Sequence, residues 1–335
     1  MGGRPADLER ARELLIWFRA HLERLHGPAR VHPDTGDIAA AVREWAEEFH
    51  IADGAAPGGH RLDQSMLVPC YVMPDAPVEV VGILARYYAW LAAVNDELIY
   101  ADVTIEAFTD AVDGVMRRGE PPEGAHRLVR AVADIRERVL RLDASLVPGF
   151  ARGVLGILGA WCRRRHWVRT GRLPSLAEYL DYRALCLAID EASLLQRLQP
   201  DLLDPHEPYT YGLARISAAT GLLTSLVNDL ISYPMEIRRG EEFTLFRVLA
   251  QEYGIRPEQT FPCALALVSA VHHDLGALVT ALHADARVGA TERRQADALL
   301  AWVDGTYRWH LAGTRYDFAD TDGPDAGALR YPVPS

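Results

Sequence analysis

LLTSLVNDLISYPMEIRRG, residues 222–240, reads as one long apolar helix carrying a narrow polar stripe. Asn228, Ser232 and Glu236 stand at i, i+4 and i+8, a spacing that stacks them on one helical face over two turns. They offer an amide oxygen, a hydroxyl and a carboxylate. All three are hard oxygen donors, a set that suits Mg²⁺, which takes octahedral oxygen coordination and keeps part of its water. Polar residues at helical spacing are often no more than a solvated face. Here the flanking GLLTSLV and LISYPM are apolar, so this face is expected to look inward. Pro234 sits inside the pattern, where it removes a backbone donor and is expected to bend the helix.

Outward from this stretch the chain is helix after helix, with apolar residues at three- and four-residue spacing and no run of strict alternation. The pattern places helices at about 5–26, 36–51, 76–100, 104–118, 123–142, 147–171, 176–197, 208–240, 243–253, 258–287 and 291–315. Gly- and Pro-rich connections such as 54–59, 119–124 and 199–208 separate them. No repeat or second hydrophobic core is visible, so residues 1–316 are read as one all-α domain and 317–335 as a Gly/Pro/Asp-rich tail.

The 335 residues carry a formal charge of −11. That excess of acid disfavours a nucleic-acid partner, since phosphate backbones need a cationic face. No lysine is present, and all 35 basic residues are arginine. Lysine Schiff bases and the lysine of a phosphate loop are thereby excluded. The four cysteines form no CxxC pair, so zinc and dithiol chemistry are not indicated. The first residues lack the apolar core of a secretory leader, and the uninterrupted apolar runs are too short to span a bilayer. The chain is accordingly expected to be soluble and cytoplasmic, without a membrane partner.

The segment N228-D-L-I-S-Y-P-M-E236 resembles the NDxxSxxxE motif of bacterial class I terpene synthases, and Gly240 and V248-L-A-Q-E-Y-G254 continue the match. Upstream, G171-R-L-P-S-L-A-E-Y-L-D-Y-R183 resembles that family's GxxPsxxEYxxxR segment. Trp302, Gly305, Trp309 and the Thr314-Arg315-Tyr316 run resemble its closing WxxG…W…RY pattern. The resemblance spans residues 74–316. It implies a helical bundle around a central cavity, in which Asn228, Ser232 and Glu236 hold Mg²⁺ and Arg183, Arg239, Arg315 and Tyr316 hold the diphosphate of a linear prenyl substrate. Arginine suits that task, because its planar fork pairs with phosphate oxygens and stays charged.

The family's aspartate-rich motif is altered. Trp90 is followed by Asn95-Asp96-Glu97, with Asn95 at the position of the first acid and Tyr100 where another is expected. Asp96 is the best remaining carboxylate, Asn95 is assigned beside it, and Glu97 and Asp102 rank lower. The resemblance implies three Mg²⁺ ions, which Asn95 would weaken on this side. It also places Asp96, Arg183, Tyr316 and Trp309 in the reaction itself. The cavity is expected to include Tyr87, Trp90, Trp161 and Trp309 as aromatic faces, with Ala92 and Ala93 one turn before Asp96. Many bacterial members have Asp or Thr and then Gly three and four residues after the sensor arginine, at a helix break whose backbone carbonyl faces the substrate; here these are Cys186 and Leu187, with the carbonyl of Leu187 expected to face the substrate. The small pair Ala92 and Ala93 favours geranylgeranyl over farnesyl diphosphate, and Leu187 opposes this by adding bulk.

A chain-elongating prenyl synthase would need two aspartate-rich motifs and usually a lysine site. A non-catalytic binder of prenyl diphosphate is the other alternative, resting on Asn95. Dimers are common in the family, which makes a homodimer an expectation of the resemblance alone.

Overall fold

Local chemistry sets the helix ends. Ser175 and Glu178 form a reciprocal capping box that starts the helix Leu176–Arg183. The Thr244 hydroxyl accepts from the Arg247 amide and starts Leu245–Tyr253. Gly171, at φ 64°, ends the helix Val147–Thr170 in the left-handed conformation that glycine adopts without a Cβ clash.

The computed structural model describes residues 12–13, 15–20, 30–51, 62–95, 97, 105–239, 241 and 243–312. Among them every regular element is helical. In chain order these are α1 (Thr35–Glu48), α2 (Leu62–Ser65), α3 (Val68–Val72), α4 (Val78–Val94), α5 (Ile105–Arg118), α6 (Arg127–Leu142), α7 (Val147–Thr170), α8 (Leu176–Arg183), α9 (Ile189–Gln196), α10 (Tyr211–Arg239), α11 (Leu245–Tyr253), α12 (Pro257–Ala284) and α13 (Ala290–Ala312). A further helical stretch covers 15–20. Two expectations are corrected. The helix expected over 176–197 is two helices, because the chain breaks between Arg183 and Ile189. The short α2 and α3 lack the length needed to show helical periodicity in the sequence.

The all-helical bundle buries a continuous apolar core. α10 packs along α12 and α13, α4 along α1 and α6, and α7 along α5 and α9. Trp90, Trp302, Tyr87 and Phe150 are among the largest fully buried side chains, each contributing about 1.5–3 kcal/mol by leaving water. α13 crosses α3 so closely that a Cβ on Gly305 would lie 2.4 Å from the Tyr71 carbonyl oxygen. Glycine at 305 is therefore a packing requirement. Helix α10 continues through Pro234 to Arg239.

By length and composition alone, the stretches Ala144–Thr170 and Pro257–Ala284 each contain a window apolar enough to cross a bilayer. Core helices of a helical bundle meet the same criterion. Both stretches pack as helices of the bundle.

Candidate active site

Helices α4, α7, α8, α10 and α13, with the α8–α9 break, enclose one cavity. From α10 come Thr224, Asn228, Asp229, Ser232, Met235 and Glu236. The stripe expected from the sequence thus faces inward. Ser232 Oγ donates to Glu236 Oε1 at 2.7 Å. Asn228 Oδ1 accepts from Arg183 Nη2 at 3.3 Å.

Arg183 is almost fully enclosed and pairs with Asp229 at 2.7 Å. It also donates to the Ser225 carbonyl at 2.9 Å. Tyr179 adds a hydroxyl bond to Asp229 at 3.1 Å. Burial lifts the Asp229 carboxyl to about 6 in spite of the Arg183 guanidinium, so the pair is ionised at neutral pH. The sequence marked Arg183 but gave Asp229 no role of its own. Here Asp229 holds the arginine.

Burial, then the charges of Glu241 and Asp229, push the Glu236 carboxyl up to about 8. Glu241 in turn pairs with Arg164 of α7 at 3.2 Å, each about one-eighth exposed. A buried carboxylate crowded by others is a place where a divalent cation relieves charge. Among the described residues no three His, Cys, Asp or Glu side chains converge on one point. The donors that fit Mg²⁺ are therefore mixed: the Asn228 amide oxygen, the Ser232 hydroxyl and the Glu236 carboxylate, hard oxygens that the chain brings to one wall.

A second wall comes from α4. Tyr88, Leu91, Ala92 and Asn95 line the cavity. Three of the expected cavity residues, Tyr87, Trp90 and Ala93, do not line it. Tyr87 is turned away, donating to Glu191 at 2.6 Å and stacked on Trp90. Ala93 does not line the cavity, while Leu91 does. For Ala93 the error is one of helical phase. Counting back from Asp96 gives 92 and 93; counting back from Asn95 by three, four and seven gives 92, 91 and 88. Trp90 is also behind the wall, with its indole N–H donating to the Leu128 carbonyl at 2.7 Å. Glu97 is engaged by Arg127, at 2.6 Å for one of the two bonds, which removes it as a free metal donor.

Trp161, Trp309, Ala92 and Leu187 line the cavity. The Trp309 indole is fixed by a bond to the Gln64 carbonyl at 2.7 Å. Trp302, Thr306 and His310 come with it, one turn apart on α13. Phe243 and Tyr182 add aromatic faces, and Arg164 adds a second guanidinium. Helical phase from Trp309 would have found the α13 residues; the sequence carries no such signal for Arg164 or Phe243. The expected helix break at Cys186–Leu187 is present, but the Leu187 carbonyl accepts the Tyr88 hydroxyl at 3.0 Å. Asp96, Asp102, Arg315 and Tyr316 lie outside the described residues, as does the side chain of Arg239.

The all-helical bundle thus encloses a cavity lined by a hard-oxygen stripe, a buried arginine and aromatic rings. The family model "terpene synthase family 2, C-terminal metal binding" matches residues 86–274. The chain belongs to this bacterial class I terpene synthase family. It is 26% identical over 304 residues to labda-7,13(16),14-triene synthase of Streptomyces clavuligerus, covering 86% of each chain. It is 23% identical over 307 residues to (+)-T-muurolol synthase of Roseiflexus castenholzii, covering 85% of this chain and 90% of that one. The fold is that of 2-methylisoborneol synthase from Streptomyces coelicolor A3(2), solved with Mg²⁺ and geranyl-S-thiolodiphosphate: TM-score 0.73, 20% identity, covering 86% of this chain and 95% of that one.

Proposed function

We propose that this enzyme is a Mg²⁺-dependent cyclase that ionises a linear prenyl diphosphate, preferentially the C20 geranylgeranyl diphosphate with farnesyl diphosphate next, and closes the carbocation into rings. The observation that carries this reading is the juxtaposition on one cavity of the Asn228/Ser232/Glu236 stripe, the Arg183 guanidinium and an aromatic lining.

Asn228, Ser232 and Glu236 would hold metal from α10, with Asn95 and Asp96 on the other side; three ions are proposed in all. The metal supplies charge neutralisation for the departing diphosphate. Arg183, buried and preorganised, presents its guanidinium to the leaving group, and Arg239, Arg315 and Tyr316 are proposed to complete that grip. Such fixed positive groups act most strongly where water is excluded. The rings of Trp161, Phe243 and Trp309 bound the remainder of the cavity. Their π faces favour cationic carbon and shield it from water. Ala92 leaves depth on the α4 wall, which supports the longer substrate.

Purified protein incubated with geranyl, farnesyl and geranylgeranyl diphosphate, with and without Mg²⁺, and extracted for gas chromatography–mass spectrometry tests the reading. A cyclic C20 product that requires Mg²⁺ is expected. Absence of any terpenoid product from all three would overturn it.

A further inference from the structure

Two consecutive tyrosines of α4 hold the α8–α9 break from different sides. Tyr88 donates to the Leu187 carbonyl at 3.0 Å. Tyr87 donates to Glu191 Oε1 at 2.6 Å. Between the two anchors Ala188 is left-handed, at φ 59° and ψ 29°, a conformation costing a non-glycine residue about 1–2 kcal/mol. Glu191 sits in a slot opened by Gly153, where a Cβ would come within 2.1 Å of the Glu191 Cγ. The break is thus fixed by packing and hydrogen bonds beyond what its local sequence requires.

The two anchors differ in what they face. Tyr87 and Glu191 lie behind the wall. Tyr88 and Leu187 line the cavity, beside Leu91, Ala92 and Cys186. Burial and the nearby Glu191 charge raise the Tyr88 hydroxyl well above its ordinary pKa, so it remains a neutral donor. With its proton committed to the carbonyl, the phenol oxygen keeps its lone pairs for other contacts, and the bond to the carbonyl increases the electron density on that oxygen.

We propose that the Tyr88 hydroxyl, polarised by the Leu187 carbonyl, is a specificity-determining dipole: its oxygen stabilises positive charge on the break side of the cavity and so selects which cyclisation step follows ionisation. The proposal rests on the cyclase reading above. It assigns Tyr88 a role apart from diphosphate binding, which is proposed for Arg183, Arg239, Arg315 and Tyr316.

Wild type, Tyr88→Phe and Tyr87→Phe are compared with geranylgeranyl diphosphate and Mg²⁺. Tyr88→Phe is expected to change the ratio of main to minor terpene products by about tenfold, equivalent to about 1.4 kcal/mol. Tyr87→Phe is expected to lower thermal stability and leave the ratio unchanged. A second measurement needs no turnover: binding of a trialkylammonium analogue of the cation and of its neutral carbon isostere, each with diphosphate and Mg²⁺. Tyr88→Phe is expected to weaken the ammonium about tenfold and the isostere little. Where Tyr88→Phe does not fold, 3,5-difluorotyrosine at position 88 keeps the ring and hydroxyl, draws density from the oxygen, and should give the same shifts at smaller size. Equal product ratios, equal loss of both analogues, or an equal shift from Tyr87→Phe would overturn the proposal. No product from wild type, with the ammonium discrimination intact, would instead count against the cyclase reading.

Discussion

The α10 wall and the α4 wall of the cavity are built on opposite plans. On α10 every turn facing the cavity carries a polar group, and each is matched by another: Asp229 by Arg183, Glu236 by Ser232, with Glu241 nearby held by Arg164. On α4 the lining residues are Tyr88, Leu91 and Ala92, and the polar groups are limited to the Tyr88 hydroxyl and Asn95 at the end. The difference separates two tasks. One wall manages the charge of a leaving group, and the other shapes the space in which a hydrocarbon cation folds.

If this division holds, damage to the α10 wall should stop turnover while damage to the α4 wall should redirect it. The largest effect is expected from Glu236→Gln, which keeps shape and removes the carboxylate: kcat/KM should fall by at least about a thousandfold, as expected when an electrostatic anchor of the transition state is lost. Chelation of Mg²⁺ should do the same, and both are read in a steady-state assay. Arg183→Met should lower kcat/KM by about a hundredfold or more. It should also destabilise the fold by roughly 3–5 kcal/mol, because Asp229 is left buried without its partner; a denaturant titration measures that part.

On the α4 wall, Ala92→Phe should shorten the cavity and shift the ratio of kcat/KM for C20 over C15 substrate by about tenfold toward C15. Asn95→Asp should sharpen the comparison from the other direction. By adding a carboxylate to the weak end of α4, it should lower the Mg²⁺ concentration for half-maximal activity several-fold, whereas adding charge on the already crowded α10 wall would not.

An effect on stability and not on turnover lies behind the α4 wall. Burial raises the Glu191 carboxyl to about 7. The folded protein therefore holds this proton more tightly than the unfolded chain. Stability from this group is complete below the unfolded pKa near 4.5 and is lost as pH rises through about 7. Glu191→Gln should flatten the melting temperature between pH 5 and 8, removing on the order of 2–3 kcal/mol of pH dependence.

The two walls also differed in how far the sequence could be read. The α10 stripe is local: Asn228, Ser232 and Glu236 lie within nine residues, so helical geometry alone places them together. Arg183 came from resemblance, and its partner Asp229 is 46 positions away. The α4 wall depended on phase: counting from Asp96 placed Ala93 in the cavity, and the neighbouring tyrosines Tyr87 and Tyr88 were not told apart. Helix boundaries followed periodicity where helices were long, and failed at α2, α3 and the α8–α9 break. That break is held by α4 and α7 through Tyr87, Tyr88 and Gly153, contacts between residues far apart in the chain. Arg164 and Glu241 meet across 77 positions, and nothing in either local sequence announces the pairing.

The central claim is that this cavity ionises a prenyl diphosphate and does not merely bind one. The most direct test is the release of inorganic diphosphate from geranylgeranyl diphosphate in a single turnover, followed beside the organic product. Release that requires Mg²⁺, matches the terpene formed mole for mole and disappears in Glu236→Gln is the predicted result. Tight binding of the substrate with Mg²⁺ present, but no release of diphosphate, would contradict the account.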